Sequence, residues 1–211
     1  LEVTAMGKRE RKKWDLPSEQ WVPLAILSGF FLLGGLCGSI LASLADGQGG
    51  QELCDYLRDY LGLVRDGALF HNFWSGLWEE LRYLLAVFLL GLTGIGVVGL
   101  PLLFGVRGFF FAFSVACFCR VFGSSGLLPA LFLFGLPALL WGPALFLSGI
   151  QGLNGSRKLL LRGLGDGRDA LPFAPVYWGK LTVSFILILL CGLVEYHVIP
   201  VLLRAAARVV L

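Results

Sequence analysis

Three ionisable side chains and a pair of hydroxyls stand in apolar surroundings where chemistry is possible: Glu195, His197, Arg120, and Ser124 with Ser125. A bare carboxylate near a bilayer centre costs roughly 2.5–3.5 kcal/mol on insertion scales, so Glu195 needs a partner, water or a task. Counted along its apolar run it falls at a depth similar to Arg120. The expectation is therefore an intramembrane pair between Glu195 and Arg120, with Arg82 as the second choice and hydration as the plain alternative. An ion or proton path normally shows several such groups. Only Glu195, His197 and Arg120 are on offer, all toward one end, so transport is the alternative reading.

The hydroxyls sit in Gly123-Ser124-Ser125-Gly126, the Gly-x-Ser-Gly form seen in intramembrane serine proteases. A serine nucleophile needs a base within hydrogen-bond reach and donors for the developing oxyanion. Four small residues between apolar runs more simply make a tight turn. The loop histidine, asparagine and further spans of rhomboid-type proteases are missing, so proteolysis is a minor alternative. No nucleotide loop, metal-binding helix or acid pair in a cleft is found. Cys37, Cys117, Cys119 and Cys191 lie in apolar runs and Cys54 in a polar loop. Such thiols act as small hydrophobes, and Cys117-Phe118-Cys119 lacks a second ligand pair or nearby His. Neither metal nor cofactor is expected.

The elements that must position these residues are membrane helices. Of 211 residues, 57% are hydrophobic and 15% charged, against about 25% in soluble domains, and mean hydropathy is +0.80. Residues 83–150 carry only two charges, Arg107 and Arg120. Crossing a ~30 Å hydrocarbon layer takes about 20 apolar residues. Five crossings are expected, at about 21–45, 81–104 with a bend at Gly99-Leu100-Pro101, 108–122, 127–148 and 181–203. The run 21–45 exceeds a signal-peptide core and reads as a retained span. Arg107 and Gly108 are expected in an inner turn between the second and third spans. Leu1 opens the chain and Met6 is its one methionine, which leaves the true start open.

Charge sets the orientation. Residues 1–20 form a basic arm (Lys8, Arg9, Arg11, Lys12 and Lys13 beside Glu10) that reads as a topology signal, with nucleic acid not expected. Arg157, Lys158, Arg162, Arg168 and Lys180 mark the 151–180 loop as cytoplasmic. The 46–80 loop holds seven acids against Arg58 and Arg65 and belongs outside, as does the C-terminus. Within it, Leu53, Tyr56, Leu57, Tyr60, Leu61 and Val64 recur at helical spacing. A second set, including Phe70, Phe73, Trp74 and Trp78, leads into the second span. These amphipathic outer helices predict a partner-facing surface carried by Tyr56, Tyr60, Phe70, Phe73, Trp74 and Trp78, or packing on the protein's own spans. Their acidic polar face disfavours anionic lipid. Small residues at four-residue spacing, Gly34, Gly38 and Ala42, then Gly108, Ala112 and Ala116, predict close helix contacts within the chain or in a homo-oligomer.

The order Leu92-Thr93-Gly94-Ile95-Gly96, Gly99-Leu100-Pro101, Gly105-Val106-Arg107-Gly108-Phe109 and Ala112-Phe113 resembles the stage II sporulation protein M family. Leu136-Pro137 with Pro143, and Glu195-Tyr196-His197-Val198-Ile199-Pro200, resemble its fourth span and its ending. The resemblance covers about 21–203. It departs at Ala138-Leu139-Leu140, where relatives often carry amides, and at Ala112, where glycine is common. It implies an all-α, polytopic membrane bundle of about five helices, with 21–211 as one membrane domain. It also implies a non-enzymatic scaffold of a peptidoglycan-remodelling complex used in engulfment during endospore formation. The partners implied are cell-wall hydrolases resembling stage II sporulation proteins D and P. The place implied is the mother-cell septal or engulfing membrane. A small permease-like subunit is the alternative.

Overall fold

The computed structural model describes residues 18–44, 48–66, 73–164 and 175–210. All regular structure there is helical: α1 (Ser18–Leu44), α2 (Gln48–Arg65), α3 (Phe73–Gly91), α4 (Gly96–Phe122), α5 (Leu127–Ala130), α6 (Leu136–Gly163), α7 (Pro175–His197) and α8 (Ile199–Val210). Three continuous stretches, Gln20–Leu44, Gly96–Gly163 and Tyr177–His197, are long and apolar enough to cross a membrane. The second doubles back at a tight 3₁₀ turn, Gly123–Gly126, where Gly123 takes a left-handed φ of 62°. Its two arms then lie side by side, with the Phe104 and Phe146 rings 4.9 Å apart. The chain is thus an all-α membrane bundle in which α1, α3, α4, α6 and α7 are the long members.

The reversal between α3 and α4 falls at 92–95, not at Arg107-Gly108. Thr93 ends α3 by donating its hydroxyl to the Leu90 carbonyl at 3.0 Å. Ser156 of α6 donates to the Thr93 carbonyl at 2.6 Å, which pins the turn to the bundle. A side chain at Gly91 would press on the Gly152 backbone, so the helices touch where the chain turns. Pro101 then sits inside α4 without breaking it, as neighbouring helices allow in a membrane. The expected second and third spans become α3 and one unbroken 27-residue α4. Arg107 and Gly108, expected in an inner turn, lie in the middle of that helix.

α1 packs along α4 at backbone contact. A Cβ added at Gly34 would fall 1.9 Å from the Gly105 carbonyl oxygen, and one at Gly108 2.1 Å from that of Phe31. Gly38 meets the Phe109 carbonyl the same way. Small side chains leave a groove that a second helix fills, and dispersion across that contact holds helices together in lipid. Ala112 faces Gly35, while Ala42 and Ala116 belong to a smaller apolar cluster. The other side of α1, with Leu32, Leu33, Leu36 and Ile40, is exposed and apolar, as a lipid-facing surface must be.

The main core joins Leu27, Leu84, Val87, Leu100, Phe104, Trp141, Leu145 and Ile188 from the five long helices. The smaller cluster lies at one end, where α2 and α8 pack together. α2 contributes Leu57, Leu61 and Val64 and α8 contributes Leu203, each from the apolar stripe of an amphipathic helix. α7 ends at His197 because Pro200 has no N–H to offer the Tyr196 carbonyl and its ring would clash with it, whereas a proline is tolerated in the first turn of the next helix. The expected last span, 181–203, is therefore shifted to Pro175–His197, and residues from Ile199 onward form the separate helix α8. The expected fourth span runs on through α6 to Gly163, well past 148.

Candidate functional site

At the α2–α8 end the bundle opens into a cavity of about 380 Å³. One wall is a stripe of α4: Arg107, Phe110, Phe111 and Ser114, at spacings that keep them on one helix face. The opposite side of the same helix carries Gly105, Gly108 and Phe109 against α1. α3 brings Gly76, Glu79 and Glu80, α6 brings Pro137 and Trp141, and Glu195 reaches in from α7. Tyr60 of α2 and Ile199, Leu203 and Arg204 of α8 close the end. Between α5 and α6 the helix widens into a π-helical segment, Leu131–Gly135, whose Leu133 and Phe134 line the cavity. Such π segments often occur at functional sites.

The electrostatic centre is an ion pair that sequence reasoning did not find. Arg107 donates Nη2 to both oxygens of the buried Glu80 carboxylate, at 2.5 and 2.7 Å. Its Cζ is also 4.3 Å from the ring centroids of both Tyr83 and Trp141. Each aromatic face adds about 0.5–2 kcal/mol to holding the guanidinium, the more so where water is excluded. A charge alone at this depth would be expelled; paired and stacked, it is held inside. Nε of Arg107 is buried and makes no hydrogen bond, so the pair is not fully satisfied.

Glu195 does not pair with Arg120, the partner expected from depth, nor with Arg82. Arg120 instead donates to the carbonyls of Ala42 and Ser43, at 2.7 and 3.2 Å. These are among the carbonyls left open at the end of α1, where a cation is favoured. The acid faces the cavity from α7, one turn from the Cys191 thiol. That thiol has Glu195 Oε1 at 3.7 Å and the Pro137 carbonyl at 3.6 Å, with one proton to give. Among the described residues Glu195 has no cation within ion-pair distance.

Of the residues expected to face a partner, Tyr56, Trp74 and Trp78 are exposed. Tyr60 turns into the cavity, and Phe73 packs edge-on against Tyr196 at 5.7 Å. Burial, with Tyr56 nearby, pushes the Tyr60 phenol up, so it remains a neutral hydrogen-bonding group. Phe70 lies outside the described residues. Ser124 and Ser125 are exposed in the 3₁₀ turn, and neither is hydrogen-bonded to His197, whose ring contacts Tyr196 at 4.8 Å.

The missed pair had a signal. Arg107, Phe110, Phe111 and Ser114 form a helical stripe once 96–122 is read as one helix, and the turn at Thr93-Gly94 then brings Glu80 opposite Arg107. No family model, no curated protein and no solved structure matches this chain.

Proposed function

We propose that this protein is a non-enzymatic membrane scaffold that localises peptidoglycan-remodelling enzymes, as its resemblance to the stage II sporulation protein M family implies. Its partners are then wall hydrolases resembling stage II sporulation proteins D and P, at the engulfing membrane of a sporulating cell. The basic arm and the basic ends of α6 and α7, with Arg157, Lys158, Arg162 and Lys180, face the cytoplasm, and α2 and α8 lie outside. Anchoring raises the effective concentration of a bound hydrolase at its wall substrate.

The observation that carries this reading is the surface of α2. Its apolar stripe is buried against α4 and α8, which holds the helix in place. Its other face leaves Tyr56 exposed beside Glu52, Asp55 and Asp59. Trp74, in the first turn of α3, is exposed toward the outer side, where aromatic side chains meet lipid headgroups. Co-purification from gently solubilised membranes tests the reading. Wall hydrolases should accompany the protein and be lost with Tyr56→Ala combined with Asp55→Ala and Asp59→Ala. Retrieval of transporter subunits with no hydrolase would contradict it.

The charged cavity favours one second reading, a permease-like subunit. Substrate flux in vesicles that Glu195→Gln abolishes would support it.

A further inference from the structure

The charges around the cavity do not balance, and its walls suit one kind of ligand. Glu80 and Arg107 neutralise each other. Glu79, Glu195 and Arg204 remain on the lining, and none of the three has an ion-pair partner among the described residues. Two carboxylates against one guanidinium favour a cation. Phe110, Phe111 and Phe134 present aromatic surface to the same space. Carboxylates beside aromatic rings are how proteins hold an ammonium group, through charge and through the negative ring faces.

We infer that this cavity binds a small organic ammonium group, with its charge at Glu195 and its carbon skeleton against the Phe110, Phe111 and Phe134 wall. The space, about 380 Å³, falls within the range of small-ligand sites. A bare metal ion fits poorly: no group of three His, Cys, Asp or Glu side chains is placed to hold one among the described residues. An anion fits poorly as well, because Arg107 is engaged and the two carboxylates of Glu79 and Glu195 outweigh the single charge of Arg204. The ammonium group can belong to a free amine or to a lipid headgroup. The site stands whether or not the protein is a scaffold.

The test uses the full chain in nanodiscs of phosphatidylglycerol, titrated with choline and with ethanolamine at constant ionic strength. Trp141 lines the cavity, so tryptophan fluorescence reports occupancy. A saturable change is expected, absent with sodium chloride and with empty nanodiscs. Glu195→Gln should weaken binding about tenfold or more, the loss of one desolvated charge contact. Ser114→Leu, which fills the cavity from α4, should abolish it and decides the matter if the Glu195 variant fails to fold. Repeating the titration in phosphatidylethanolamine nanodiscs separates the two sources. An apparent affinity at least about tenfold weaker there identifies the lipid headgroup as occupant, and an unchanged affinity identifies a free amine. No saturable response in phosphatidylglycerol overturns the inference. So does equal affinity in folded Ser114→Leu.

Discussion

Glu80 and Arg107 stand at equal distances from the turn that joins their helices. Glu80 lies eleven residues before Gly91, the end of α3, and Arg107 eleven after Gly96, the start of α4. At 1.5 Å per residue each is about 16 Å from the turn, close to the middle of a ~30 Å hydrocarbon layer. The register of the hairpin is what lets two charges share that depth.

Breaking this pair leaves one buried charge uncompensated. Glu80→Ala or Arg107→Ala should each destabilise the protein by about 3–5 kcal/mol. The exchange Glu80→Arg with Arg107→Glu should recover part of that loss. Thermal unfolding in detergent measures it, and equal damage from the exchange and the single changes would argue against the pairing.

Arg120 and Glu195 should behave independently. Removing the Arg120 donors by Arg120→Leu costs about 1.5–3 kcal/mol, from charged hydrogen bonds to the end of α1. A double-mutant cycle with Glu195→Gln should then give coupling within about 0.5 kcal/mol of zero. Coupling well above that would restore the expected pair.

Glycines of α1 and α4 should divide sharply. Gly34→Val and Gly108→Val force α1 off α4 and should prevent assembly of a stable bundle. Gly29 has open space around its missing Cβ, so Gly29→Ala should be neutral or stabilising by up to about 1 kcal/mol. Detergent-resistant monodispersity with thermal melting distinguishes them.

The position of the reversal is open to chemical labelling. In a cysteine-free background, Ile95→Cys should react with a membrane-impermeant maleimide in inverted vesicles, since Ile95 is 77% exposed at the turn. Val106→Cys, next to Arg107, should not. Strong labelling at 106 would move the turn to Arg107, where its charge alone would put it.

Fold class and the number of long helices are legible in the sequence because apolar length is a coarse signal that packing does not alter. The close approach of Gly34 and Gly38 to α4 is legible in the same way, since small residues at four-residue spacing leave few other uses. Boundaries are harder. An isolated arginine avoids lipid, so Arg107 reads as a loop residue. Only its partner Glu80, across the turn and eleven residues from it, with Tyr83 and Trp141, makes its burial tolerable. Pro101 looks like a bend, yet the chain turns earlier, at Thr93, where a hydroxyl can satisfy the last carbonyls of α3. Glu195 stands out as an unusual charge, but pairing by estimated depth ignores which helix faces meet. α4 turns Arg107 toward α3 and Arg120 toward the end of α1.

The most direct test of the scaffold reading is a photo-crosslinking amino acid placed at Tyr56 in living cells, with Leu33 on the lipid face of α1 as control. The account predicts adducts with wall hydrolases from position 56 and none from position 33. Failure to capture any hydrolase from position 56, with transporter subunits captured instead, would contradict it.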